Sequence, residues 1–328
     1  MLGGYNSASQ KGRRYMKFHD FLSSTGLILA EGSIYERLRR HSSIEFDPYL
    51  ANSALIYESA TAEILEKVHC EYLDVGQKYG LPMTAATDTW RANKERISQS
   101  KFAEHAVNQD NVRFLRSICN SYGDRAAPIF LCGILGPKGD AYRFNEALPI
   151  DEAEDFHRFQ IEALAETDLD FIKAATLPAF SEALGIARAI ATTGLPYILS
   201  FVIRDNGTLL DGTPLHQAIQ KIDAVVERPP IGYAVNCVHP TVLIKGFTRD
   251  ELAQRSLSNR LVGFSANTSA KRPEELDGLE ELETDEPEIL GLLMQNIHQK
   301  YGTKILGGCC GTSTNHIEFI AKKLTASV

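Results

Sequence analysis

Apolar residues along this chain fall into short, nearly continuous runs, separated by longer segments in which apolar positions recur every three or four residues. The runs are LILAE (27–31), PMTAAT (82–87), IFLCG (129–133), FIKAA (171–175), YILSFVI (197–203), IGYAVNC (231–237), LVGFSA (261–266) and KILGG (304–308). Continuous apolar character, rather than strict alternation, predicts strands covered on both faces, as a parallel sheet requires. Between the first two runs, Ile64, Leu65, Val68, Tyr72, Val75 and Tyr79 predict a helix over 60–79 that Gly80 and Pro82 stop. Asp151 and Glu154 form a candidate capping box ahead of Phe156, Phe159 and Leu164. Thr213 and Pro214 open a further helix with Ile219, Ile222 and Val226 on one face.

Strand and helix alternate eight times with no linker rich in Pro, Gly or Ser. That order predicts an α/β fold, a single-domain (β/α)8 TIM barrel over residues 26–328, preceded by a flexible N-terminal arm over 1–25. An open doubly wound sheet is the alternative, but no Gly-rich dinucleotide fingerprint follows an early strand. In a barrel, the loops after the strands build the active face, so chemistry is expected at the C-terminal ends of the strands.

A length of 328 residues suits one large barrel, and 44% apolar residues are enough to build its core. The formal net charge of -8 comes largely from EELDGLEELETDEPEI (274–289), which has no Lys or Arg and reads as a solvated loop or helix face. This balance argues against a nucleic-acid partner. No run reaches the roughly 20 apolar residues needed to span a bilayer. The N-terminal MLGGYNSASQKGRRYMKF also lacks the apolar centre of a secretory signal. A cytoplasmic protein with no membrane partner is expected; the pattern specifies no oligomeric state.

Six cysteines, at 70, 119, 132, 237, 309 and 310, are too sparse for a disulfide scaffold and fit a reducing compartment. Cys70 and Cys119 fall in predicted helices, and Cys132 lies within the third strand as a small buried hydrophobe. The other three fall at strand ends: Cys237 in AVNCVHP after the sixth, Cys309 and Cys310 in GGCCGTSTNHI after the eighth. Three thiolates bind zinc tetrahedrally and leave a fourth position open, the arrangement of a catalytic site. Gly307, Gly308 and Gly311 give the backbone freedom to turn both sulfurs of the pair toward one ion. A vicinal Cys309–Cys310 disulfide and plain packing are the competing readings, and His239 is an alternative ligand. Thiolate-bound zinc with an open position suits activation of another thiol, and so methyl or alkyl transfer to sulfur.

GGCCGTSTNHIEFIA and AVNCVHP together resemble the zinc and Asn-Cys motifs of the zinc-dependent homocysteine S-methyltransferases, which include the betaine- and S-methylmethionine-dependent enzymes. DFHRFQIEALAETDLDFI (155–172) and CGILGPKGDAYR (132–143) are similar to two further family segments. The resemblance covers the chain after about residue 25. It implies a (β/α)8 barrel holding Zn2+ through Cys237, Cys309 and Cys310, with no other catalytic residue. It further implies a small-molecule thiol acceptor, homocysteine by default to give methionine, and a sulfonium or ammonium methyl donor. Glu31 in AEGSIYERLRR stands where an aspartate of the family helps hold the amino acid. Thr87 in AATDTWRAN matches a substrate-contacting threonine, and Trp90 a nearby aromatic position or a packing residue. Asn236 is expected to line the substrate site and to shape the zinc loop rather than react.

FIKAATLPAFSEA (171–183) departs from the family. Alignment on Thr176 and Pro178 puts Ala175 where a glutamate grips the amino group of homocysteine. That departure points to a thiol without an α-amino group, to another carboxylate such as Glu31, or to a zinc-binding barrel that no longer turns over.

Overall fold

Eight parallel strands pair in sequence order, and the first closes on the last. They are β1 (Ile28–Ala30), β2 (Met83–Ala86), β3 (Ile129–Leu135), β4 (Phe171–Leu177), β5 (Tyr197–Phe201), β6 (Gly232–Val238), β7 (Leu261–Ala266) and β8 (Ile305–Gly308). Each falls on one of the eight apolar runs. The computed structural model describes residues 16–24, 26–123, 126–248, 257, 259–271 and 284–326. Closure is set by the register of β1 with β8, Ile28 opposite Ile305 and Leu29 opposite Leu306.

Period-two alternation assigns the strand residues to two cores. Leu29, Leu131, Ile172, Leu199, Val235 and Leu306 face outward into one apolar layer shared with the surrounding helices. Ile28, Ala30, Phe130, Cys132, Phe171, Ile198, Ala234 and Ile305 face inward and fill the lower barrel. Both strand faces are therefore largely covered by apolar side chains, which is why the runs are mostly apolar.

The described helices are α1 (Phe18–Ser23), α2 (Tyr35–Arg39), α3 (Ser59–Tyr79), α4 (Lys94–Gln99), α5 (Val107–Ser121), α6 (Ile150–Ala165), α7 (Phe180–Ala191), α8 (Leu215–Val225), α9 (Pro240–Thr248), α10 (Pro287–Tyr301) and α11 (Thr314–Thr325). Helix α3 ends as expected: Gly80 adopts φ 63°, and its N–H caps carbonyls of the last turn. The start of α6 differs from expectation. Pro149 occupies the N-cap, no side chain caps the helix, and Asp151 lies inside the first turn, paired instead with Arg188. Proline presets the entry angle, so a capping box is not needed there.

The arm expected over 1–25 differs from the structure in its last residues. Residues 1–15 lie outside those described, but from Phe18 the chain is helical. Phe18 is 1% exposed, stacked on Phe171 with ring centroids 3.9 Å apart and edge-on to Phe130. Because Phe171 and Phe130 lie at the starts of their strands, α1 plugs the N-terminal mouth of the barrel. Lys304 secures the plug by donating to the carbonyls of Leu22 and Ser24, where a cation suits the negative end of the helix. Most of the acidic stretch, residues 274–283, lies outside the described residues; α10 begins within its end.

Phe18→Ala empties the base of the barrel and is expected to cost about 3 kcal/mol or more. It should lower the urea midpoint with little change in slope; an unchanged midpoint would show that the plug does not seal the core.

Candidate metal centre

Cys237, Cys309 and Cys310 come together at the C-terminal rim, with all three sulfurs within 4.8 Å of one another. Their convergence depends on two departures from regular strand geometry. In β6, Asn236 pairs with Ser265 and Val238 with Ala266, so Cys237 is an extra residue in the register, with φ 56°. Left-handed backbone is uncommon for a residue with a Cβ and marks local strain held by its surroundings. After β8, the chain turns sharply: Cys309 N–H donates to Ala266 O, and Thr312 returns both its N–H and its hydroxyl to Cys309 O. Gly311, at φ 83°, completes that turn; a Cβ there would collide with the Thr268 hydroxyl. Ser313 and His316 then form a capping box that starts α11.

The sulfurs of Cys237 and Cys309 are in disulfide-bonding contact, with their Cα atoms 5.5 Å apart, while Cys310 is a free thiol. The pair that meets is thus not the vicinal one considered from sequence. Successive residues diverge, whereas the parallel β6–β7–β8 ladder brings the ends of β6 and β8 side by side. Burial pushes the Cys310 thiol up to about 11, against the opposing hydrogen bond with Tyr142. Without a metal the thiol therefore keeps its proton. His239 is committed elsewhere, Nε2 to Asp285 and Nδ1 to Thr241, which disfavours it as a substitute ligand.

Two asparagines hold this backbone. Asn236 Oδ1 accepts from Thr176 N–H (3.0 Å) and from Ser200 Oγ (2.6 Å), and its Nδ2 donates to Thr176 Oγ1 (2.8 Å). Thr176, at the end of β4, is itself left-handed at φ 66°. Asn236 thereby braces one strained strand end and sits next to the other. Asn267, which the sequence reading missed, donates to Cys237 O (3.0 Å) and accepts from Cys310 N–H (3.1 Å). One amide thus ties the two cysteine loops together. The residue follows β7 immediately in SANTS, and that position at a barrel strand's C-terminal end is the signal that could have found it.

Glu31 lies at the end of β1, 7% exposed. Its Oε1 meets His69 Nδ1 (2.7 Å) and its Oε2 accepts from Ala86 N–H (2.8 Å). His69, on α3, contacts Asp88 Oδ2 through Nε2 (2.9 Å). Sequence reasoning passed over both His69, a polar residue on the apolar face of a helix, and Asp88. Thr87 is also tied in: its hydroxyl accepts from Ile134 N–H and lies 2.7 Å from Thr89 Oγ1. Since Thr89 spends its proton on Ile134 O, the Thr87 proton points to Thr89. Trp90 is a packing residue, its indole N–H on Ala175 O, its ring between the Arg91 guanidinium and Gly136, where a Cβ would strike it. The following loop is anchored by Glu182, which accepts from Lys138 N–H and pairs with buried His157.

Burial opposes charge on His69, but Glu31 and Asp88 outweigh it and raise its pKa to about 10. The folded protein therefore keeps a proton that the unfolded chain, at the ordinary value of 6.5, releases. This stabilisation is complete below about pH 6.5 and is lost as pH rises through about 10. Urea midpoints should fall on raising the pH from about 7 to about 10, and less steeply in His69→Gln; equal slopes in the two proteins would rule out the charged triad.

The sequence model of the homocysteine S-methyltransferase family matches residues 28–324. The chain is 25% identical over 320 residues to homocysteine S-methyltransferase YbgG of Bacillus subtilis, covering 92% of this chain and 95% of that one. It is 21% identical to selenocysteine Se-methyltransferase of Brassica oleracea var. italica, covering 98% and 95%. Among solved structures, the metallated form of the homocysteine methyltransferase MmuM from Escherichia coli superposes with a TM-score of 0.68 at 21% identity, over 93% of this chain and 96% of that one. At that identity the superposition supports the barrel alone. The family match spans the barrel from its first strand to its last helix, and the chain belongs to the homocysteine S-methyltransferase family.

Proposed function

We propose that this protein is a zinc-dependent S-methyltransferase that moves a methyl group from a sulfonium or ammonium donor to a thiol sulfur, homocysteine being the default acceptor and methionine the product. The convergence of Cys237, Cys309 and Cys310 within 4.8 Å carries this reading. Zinc with bonds of about 2.3 Å to tetrahedral sulfurs needs them roughly 3.8 Å apart, a separation within the 4.8 Å span of this cluster. Three thiolates leave one of four positions without a protein ligand. Zinc held there supplies the Lewis acidity that lets a thiol react as thiolate near neutral pH.

The remaining chemistry is an in-line displacement. The acceptor sulfur forms a bond to the methyl carbon as the donor's C–S or C–N bond breaks, its electron pair leaving with the donor. No general base is needed at that step, so the chain contributes mainly orientation. Asn236 and Asn267 hold the cysteine loops. Of the residues expected at the acceptor, Glu31 retains an unused lone pair on each oxygen and lines the site from β1. Thr87 and Asn236, whose side chains are already bonded within the protein, set the backbone around it. No described helix is long and apolar enough to cross a membrane, and the reading needs only small-molecule partners.

Protein purified under reducing conditions should contain one zinc per chain, with three sulfurs in the zinc-edge absorption spectrum and four after homocysteine is added. Replacing any one of the three cysteines by Ser should lower zinc affinity by at least tenfold while the barrel stays folded. Correctly folded, reduced wild-type protein that binds no zinc when it is supplied would overturn the proposal.

A further inference from the structure

The interior face of β4 carries a cation. Ile172 and Ala174 face the helices, so Phe171, Lys173 and Ala175 face the barrel interior. Lys173 lies between Ile134 of β3 and Ile198 of β5 in register. Its side chain crosses the interior, placing Nζ 3.4 Å from Ser265 Oγ on β7. Ser265 pairs with Asn236 and with Gly307. The ammonium thus lies at the level directly beneath Cys237 and the turn carrying Cys309 and Cys310, strand levels being about 3.3 Å apart. Lys173 is only partly buried by surface area, although it lies deep in the barrel. The accessible surface it keeps leaves the side chain open to a small molecule entering from the C-terminal mouth.

Among the described residues this cation has no counter-charge. None of the ion pairs among the described residues involves it, and its one hydrogen-bond partner there is the long contact to Ser265. The nearby Cys132 thiol is held neutral, burial pushing it up to about 12. Burial also lowers the Lys173 pKa from its ordinary value, so an anion bound beside it would favour the charged form. An ammonium has three donors, and charged groups away from water are normally paired. Two residues farther along the same face, Ala175 presents a methyl group where the family resemblance calls for a carboxylate. The nearest alternative acid, Glu31, already faces the protonated His69. This part of the site therefore suits an anion better than an ammonium.

We propose that Lys173 binds an anionic group of the acceptor, and that the acceptor class is a short mercaptocarboxylate whose α-amino group is not required. The proposal rests on the methyl-transfer reading above and specifies which thiols that site takes.

The test compares three thiols on the zinc-loaded protein by calorimetry and zinc-edge absorption: homocysteine, γ-mercaptobutyrate (the same chain without the amino group) and aminopropanethiol (the same chain without the carboxylate). γ-Mercaptobutyrate should bind at least as tightly as homocysteine, and aminopropanethiol at least about tenfold more weakly, as expected for loss of one charge-assisted hydrogen bond. Lys173→Gln should weaken γ-mercaptobutyrate by about tenfold and leave aminopropanethiol unchanged. Ala175→Glu, which supplies a carboxylate beside the lysine, should reverse the preference of the wild type. Equal binding of carboxylate and amine thiols by the wild type would overturn this proposal alone, as would an unchanged preference in Lys173→Gln. If no thiol adds sulfur to the zinc, the methyl-transfer reading falls and takes this one with it.

Discussion

The hydrogen-bonded ladder β6–β7–β8 is the constraint on which the rest of the site depends. Cys237 and the Cys309–Cys310 pair lie about seventy residues apart in sequence, and nothing local draws them together. Parallel pairing does so by placing the C-terminal ends of these strands side by side. Closure of β8 onto β1 then brings Glu31 to the same rim, where its backbone carbonyl accepts from Gly308 N–H. The apolar layers on both sides of the strands largely cover this ladder, and α1 seals its lower end.

On that frame, the site contains backbone that a regular barrel would avoid. Thr176 and Cys237 are both left-handed, and both fall where a strand gives way to its loop. Strain of this kind persists only when neighbouring groups over-determine the conformation. Asn236 and Asn267 provide that support, each bonded to two separate segments. The backbone that brings three sulfurs together is thus held by two side-chain amides. The Glu31–His69–Asp88 triad does similar work between β1, α3 and the loop after β2, and it leaves Glu31 less available as a bare acid for a substrate ammonium.

Much of the fold was legible because its physical signal is local. The eight apolar runs matched the eight strands, and Gly80 stopped α3 where a left-handed cap was expected. The misplaced elements were those decided by neighbours: Pro149 set the start of α6, and Phe18 drew the supposed arm into the barrel base because Phe171 and Phe130 left room for a ring. The cysteine cluster was legible through two short motifs at strand ends. The residues that support it were not, because an asparagine after a strand or a histidine on an apolar helix face has many structural uses.

The sequence alone determined the order of strands and helices, the family, and the residue types available to the site, since each rests on local pattern or on motifs contiguous in the chain. Only the tertiary structure decided which cysteines meet, that Asn267 joins their loops, and that Glu31 is already shared with His69. It also turned Lys173 into the barrel interior toward Ser265, with no ion-pair partner among the described residues. Those facts depend on which side chains face one another across a closed barrel, and a linear pattern cannot encode separation across its interior.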